Sequence, residues 1–297
     1  MTVKATTAEL PGPRPAARRF SWAWLGLVPF FAFSIAFLFL PISFLIIGSF
    51  QQAGQWSLGN YLGLGDDYIQ VAYKNSLILS AITALLGGLF GFIIAAALVF
   101  GGLPRAVGAA ILTFSGVASN FAGVPLALAF VFTLGTRGMA TIFLQDVFGF
   151  NLREYFNLYT IAGLALVYLY FQLPLMILII APALEGLRKD WREAALNMGA
   201  TPRQYWRHVA LPILMPTILG TIILLFGNAF GAQATAFQLT GGTIPIAPVV
   251  IGAQIRGDVL GDPGLGYAMA MGMVVIMGVS ILLYAWLQRR AERWQRS

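Results

Sequence analysis

Long apolar runs, each closed by a short polar or glycine- and proline-bearing stretch, recur along the chain from Trp22 to Leu287. A helix that crosses a bilayer needs about 20 mainly apolar residues, because its backbone polar groups must be satisfied within the segment. Six stretches meet that need: 22–49, 76–101, 107–134, 158–184, 211–234 and 266–287. The first follows a basic tail and lacks a small-x-small cleavage signature, so it reads as a retained span. Within the third, Gly123 and Pro125 interrupt the helical pattern. Proline lacks the N–H that a helix interior uses, which predicts a kink or break near the middle of that span.

Composition agrees with lipid as the solvent. The chain is 59% hydrophobic and 10% charged, whereas soluble domains carry roughly a quarter charged residues. It has no cysteine, so neither a disulfide framework nor a thiolate metal site is available. A net charge of +7 raises the question of nucleic acid, but the basic residues lie between and beyond the apolar runs. With six spans, both termini share a side with the loops at 102–106 and 185–210. Of the 18 lysines and arginines, only Lys74, Arg137, Arg153 and Arg256 fall on the other side. The positive-inside rule then places both termini in the cytoplasm. The expected organisation is all-α: a mobile cytoplasmic tail at 1–20, one six-helix transmembrane domain at 21–290 and a short cytoplasmic tail at 291–297. The stretch 51–74 is expected outside.

One cytoplasmic loop has its own local chemistry. Asp190 followed by Glu193 has capping-box spacing. Gly199 suits the left-handed position that closes a short helix. Thr201 can cap the next helix, with Pro202 at its first position and Gln204 completing a second box. These residues predict two short helices joined at a glycine-centred turn against the inner face of the membrane. On this chemistry alone the loop could also be a connector resting on lipid headgroups.

The string Glu193-Ala194-Ala195, three residues, Gly199, nine residues, Val209, one residue, Leu211-Pro212 resembles the EAA loop of ABC importer permeases. That family pattern is E-A-A-x3-G-x9-I-x-L-P, and here valine replaces only the isoleucine. Gly59-Asn60-Tyr61 before the second span is similar to a further family habit. The resemblance implies the type I ABC importer permease fold and makes the loop 186–210 a coupling helix seated in a groove on a separate ATPase. It implies that Ala194 and Ala195 allow close approach and that Gly199 sets the turn. Leu196 and Met198 would make apolar contacts, and Glu193 would meet a basic residue of the ATPase while also capping its own helix. The chain has no G-x4-G-K-[ST] phosphate loop. ATP and magnesium are therefore expected on a partner ATPase dimer, with no cofactor and no catalytic or metal-ligating residues on this chain.

Polar residues at membrane depth usually face a bundle interior or a cavity. Ser119 and Asn120 in the third span, Tyr168, Tyr170 and Gln172 in the fourth, and Asn228 and Gln233 in the fifth are the translocation-path candidates. Hydrogen bonding between helices is the alternative use of each, and Gly87, Gly88 and Gly91 read as close-packing positions. No ionisable side chain lies in the core of a span, which disfavours a proton- or sodium-coupled secondary transporter. The stretch from Leu239-Thr240-Gly241-Gly242 to Val249-Val250-Ile251-Gly252 is similar to the spermidine/putrescine-type permeases. That similarity implies a polyamine substrate, with phosphonate, thiamine or ferric iron as alternatives within the group. The implied setting is a bacterial inner membrane. There the chain would pair with a second homologous permease, different rather than identical, and with an extracytoplasmic substrate-binding protein. No nucleic acid is expected as a partner.

Overall fold

The computed structural model describes residues 26–52, 54–256 and 261–296, so the tail expected at 1–20 lies outside the described residues. The chain divides into two units, 1–44 and 45–297. The helix α1 (Val28–Ser49) begins in the first, where it presents Phe30, Phe33, Phe37 and Phe44 to the surroundings, and its last turn belongs to the second. A helix apolar on every face suits lipid, not water.

In the second unit a two-residue hairpin, β1 (Gln51–Gln52) and β2 (Gln55–Trp56), sets Gln51 opposite Trp56. The short helix α2 (Gly59–Leu62) follows. Asn60 is buried and donates from Nδ2 to the carbonyls of Ser49 (3.1 Å) and Gln51 (3.0 Å), which fixes the exit from α1. The Gly-Asn-Tyr string thus has a structural role.

Among the described residues six helices are long and apolar enough to cross a membrane, α1 among them. The next, α3 (Asp67–Phe100), starts ahead of the apolar run at 76 because the Asp66 carboxylate caps it, accepting from the Tyr68 N–H at 2.8 Å. The span expected at 107–134 is two helices, α4 (Arg105–Asn120) and α5 (Val124–Leu134). They part at Phe121-Ala122-Gly123, where Gly123 takes φ +73°, and Pro125 lies in the first turn of α5. The break expected from Gly123 and Pro125 is present. Beyond α5 lie α6 (Met139–Phe148) and α7 (Leu152–Tyr155), neither expected from sequence. The third membrane-length segment is Val124–Phe148, which joins α5 and α6 across a tight turn.

The fourth span is α8 (Ile161–Glu185), followed by α9 (Lys189–Asn197). The second short helix expected in the loop is not separate: it opens α10 (Pro202–Phe230), which continues through the fifth span. The join is a π-turn at Trp206–Ala210. A second π-turn, Ile35–Phe39, lies in α1. Each ends two residues before a proline, Pro212 and Pro41. A proline ring crowds the carbonyl four residues back and gives it no N–H, and a widened turn absorbs that mismatch. Two more unexpected helices, α11 (Gln233–Thr240) and α12 (Ala247–Ile255), precede the last span, α13 (Pro263–Arg296). The helix α13 continues past the last span to Arg296, so the described part of the segment expected as a cytoplasmic tail at 291–297 is helical.

The central packing is α3 against α8 and α10. A Cβ at Gly91 would lie 2.6 Å from Met176 Cβ and 2.9 Å from the Leu173 carbonyl; one at Gly87 would lie 2.8 Å from Gln172 Cβ. One at Gly88 would lie 3.0 Å from Ile222. These glycines are the close-packing face that the sequence suggested, where missing side chains let helix backbones approach.

Candidate functional site

The loop after α8 is built from local chemistry outward. Gly199 holds φ +82°. The Ala200 N–H donates to the Ala195 carbonyl (3.0 Å) and the Gly199 N–H to that of Leu196 (2.9 Å). This pair of bonds is a Schellman closure, which needs a residue tolerant of the left-handed region. Immediately after, the Thr201 N–H donates to Gln204 Oε1 at 2.7 Å and the Gln204 N–H donates to Thr201 Oγ1 at 3.3 Å. The second capping box forms as expected.

The first does not. The N-cap of α9 is Arg188, which makes no side-chain cap bond, and Asp190 lies inside the first turn. Asp190 instead pairs with Arg188 at 2.7 Å, both well exposed; such a surface pair contributes about 1 kcal/mol at most. Glu193 is therefore not a capping residue and stays exposed on the outer face of α9. Of the two alanines, Ala194 is exposed, while Ala195 is 5% exposed and packs with Leu187, Tyr205 and Leu214. Ala195 anchors α9 to its own chain. Leu196 is exposed, and Met198 at 82% is among the most exposed large apolar side chains.

A cleft of about 640 Å³ lies at the root of α9, lined by Phe100, Leu184, Arg188, Arg192, Glu193, Leu196 and Trp206 among others. Trp206 holds the base of the loop against α3, its ring edge-on to Phe100 (5.6 Å) and Phe92 (6.4 Å). Sequence reasoning missed Trp206 because nothing local marks an aromatic in a π-turn as a tertiary contact.

At the other end of the spans two helix breaks meet. The Gly123 N–H, between α4 and α5, donates to Thr235 Oγ1 at 2.9 Å. The Tyr168 hydroxyl donates to the carbonyl of Ala232, between α10 and α11, at 2.7 Å. Backbone groups freed by both interruptions thereby gain partners, as membrane depth demands. Among the path candidates, Tyr168 and Gln172 are buried inside the chain. Gln172 Nε2 donates to the Leu225 carbonyl at 3.0 Å, joining α8 to α10. Ser119 and Tyr170 are half-buried, Tyr170 standing edge-on to Phe121 and Phe130. Asn120 and Asn228 are exposed, and Asn120 bonds only locally, Nδ2 to the Gly116 carbonyl (2.9 Å) and to Ser119 Oγ (3.4 Å). Gln233 is the first residue of α11 instead of the end of the fifth span. The seven candidates thus separate into an interior pair and residues near the two breaks.

The site thus combines broken membrane-length helices with a short helix, closed at Gly199, that carries exposed Glu193 and Met198. Residues 87–293 match the family described as binding-protein-dependent transport system inner membrane component, and the chain belongs to that family. It is 29% identical over 280 residues to the "Probable sulfate transport system permease protein cysT" of Nephroselmis olivacea, covering 91% of this chain and 90% of that protein. It is 26% identical over 210 residues to the sulfate transport system permease protein CysT of Salmonella typhimurium, covering 69% and 70%. A third similarity, 24% over 228 residues, is to the ferric transport system permease protein FbpB of Actinobacillus pleuropneumoniae; it covers 77% of this chain and 32% of that one. The fold is similar to that in the crystal structure of a bacterial alginate ABC transporter in complex with its pentasaccharide-bound periplasmic protein, with TM-score 0.75 at 19% identity. That match covers 90% of this chain and 94% of the other.

These relatives carry the names of sulfate and ferric systems, so the similarity to spermidine/putrescine-type permeases gains no support from them. The stretch 239–252 that suggested it comprises the end of α11, a turn at 241–246 with Gly241 at φ +58° and Gly242 at +83°, and the first part of α12.

Proposed function

We propose that this chain forms half of the translocation path of an ATP-driven importer for a small oxyanion of the sulfate class. The carrying observation is the relative named for sulfate transport, matched along nearly the whole of both chains. Charge distribution supports it: between Tyr68 and Gln145, Tyr155 and Leu184, and Ala194 and Gly257 the sequence has no acidic residue to repel an anion. Ferric iron is the second reading, resting on the relative named for ferric transport. A carboxylate-free interior favours it less, since hard cations are held by oxygen ligands.

On this reading an ATPase dimer holds ATP and magnesium, and α9 docks on it through Ala194, Leu196, Met198 and Glu193, with Gly199 shaping the turn. ATP-driven closure moves α9, and two permease halves, this chain and a homologous partner, rock to open the path outward. An extracytoplasmic binding protein delivers the substrate, and both termini lie in the cytoplasm. Ser119, Asn120, Tyr170, Asn228 and Gln233 line the path near the helix breaks, while Tyr168 and Gln172 position the helices behind them. Uptake of radiolabelled sulfate by vesicles containing the complete importer tests the substrate. ATP-dependent accumulation that excess spermidine or ferric iron leaves unchanged is expected. No sulfate accumulation, with spermidine or ferric iron taken up instead, would refute the oxyanion reading.

A further inference from the structure

A second cavity, of about 430 Å³, opens between the end of α10, α12 and α13, lined by Gly231, Gln233, Gly252, Arg256 and Met273 among others. Its organising residue is Gly252. A Cβ there would lie 2.0 Å from Gln233 Nε2 and 3.2 Å from an Arg256 guanidinium nitrogen. The two nitrogen-bearing groups therefore converge over a position that only glycine leaves open.

Arg256 is held in place from two sides. Its Nε donates to the Gly252 carbonyl at 2.8 Å, and its guanidinium lies 5.1 Å from the centre of the Phe237 ring. With one N–H tied to backbone and the plane set by an aromatic face, the remaining donors of the fork have a defined direction. Among the described residues that line the cavity none is a carboxylate. Cation, amide and open volume together have the chemistry of an oxyanion site: a guanidinium meets sulfate-like oxygens with paired charge-assisted hydrogen bonds.

We infer that Gln233 and Arg256, converging over Gly252, bind the transported oxyanion at the outer end of the path. This inference rests on the oxyanion reading above and names the residues that give it selectivity. Arg256 is exposed, so water weakens the contact, and a permeating ion needs a site that it can enter and also leave. The same charge repels a polyamine or a ferric ion, which makes the site selective by exclusion as well as by attraction. A lipid headgroup phosphate has the same chemistry, and the experiment must separate the two sources.

The test uses the complete importer in vesicles and measures sulfate uptake per ATP hydrolysed, in phosphatidylcholine alone and with added phosphatidylglycerol. Arg256→Gln is expected to lower that ratio about tenfold in both lipids. Binding-protein-stimulated hydrolysis should persist, and Arg256→Lys, which keeps the charge but loses the planar fork, should recover only part of the uptake. Gly252→Ala, which only displaces two flexible side-chain ends, should lower the ratio several-fold and carries the test if Arg256→Gln fails to assemble. Uptake by Arg256→Gln equal to wild type overturns the site while leaving the oxyanion reading intact. A loss confined to vesicles with phosphatidylglycerol assigns Arg256 to a headgroup and also overturns it. A wild type that moves no sulfate refutes the oxyanion reading itself, and this site with it.

Discussion

At the scale of single residues, the loop after α8 turns on Gly199. Its φ of +82° is a conformation that costs an L-residue about 1–2 kcal/mol, and nothing lies within 4 Å of a Cβ placed there. The penalty for Gly199→Ala is therefore backbone conformation alone, with no steric part. In the assembled importer this substitution is expected to leave ATP hydrolysis in place while cutting uptake several-fold. Gly199→Asn should behave closer to wild type, because asparagine tolerates the left-handed region. Equal uptake per ATP in all three proteins would remove the turn from the coupling account. Gly199 and the Thr201–Gln204 box were legible because their chemistry lies within a few residues. Asp190 was not: Arg188 takes it as an ion-pair partner and the helix begins two residues earlier. The burial of Ala195 among Tyr205 and Leu214 was not legible, because it is a tertiary fact.

Among the elements, the α3–α8 contact carries the packing. Gly91→Val places new atoms against Met176 and the Leu173 carbonyl, and the carbonyl cannot rotate away. Overpacking of this kind costs about 1–3 kcal/mol, so thermal unfolding in detergent should show a clearly lowered midpoint. Gly116→Ala meets nothing within 4 Å and serves as the comparison; equal midpoints for the two variants would contradict the packing described. The spans themselves were legible because apolar length is a strong signal, and the break at Gly123 because proline and glycine have local consequences. Helices α6, α11 and α12 were not, since each is too short for that signal. The early start of α3 and the fusion of the loop into α10 escaped it for a related reason: both occur where polar residues continue a helix that the apolar count had ended. Polar residues in a span do not declare their face, so Tyr168 and Gln172 read like Asn120 and Asn228 until the packing separated them.

For the molecule as a whole, two surfaces need different partners. The spans present large apolar side chains such as Phe37, Phe132 and Leu282, which suits lipid or a second permease. Met198 and Leu196 are apolar and exposed on a loop flanked by arginines and lysines, outside any span. Such a combination fits a protein surface rather than lipid. The most direct test purifies the importer through a tag on this chain and compares wild type with the double substitution Glu193→Ala, Met198→Ala. The account predicts that wild type brings an ATPase subunit with it, and that the variant either loses that subunit or hydrolyses ATP without transport. A wild type that carries no ATPase, or a variant that matches it in both hydrolysis and uptake, would contradict the assignment of α9 as the coupling element.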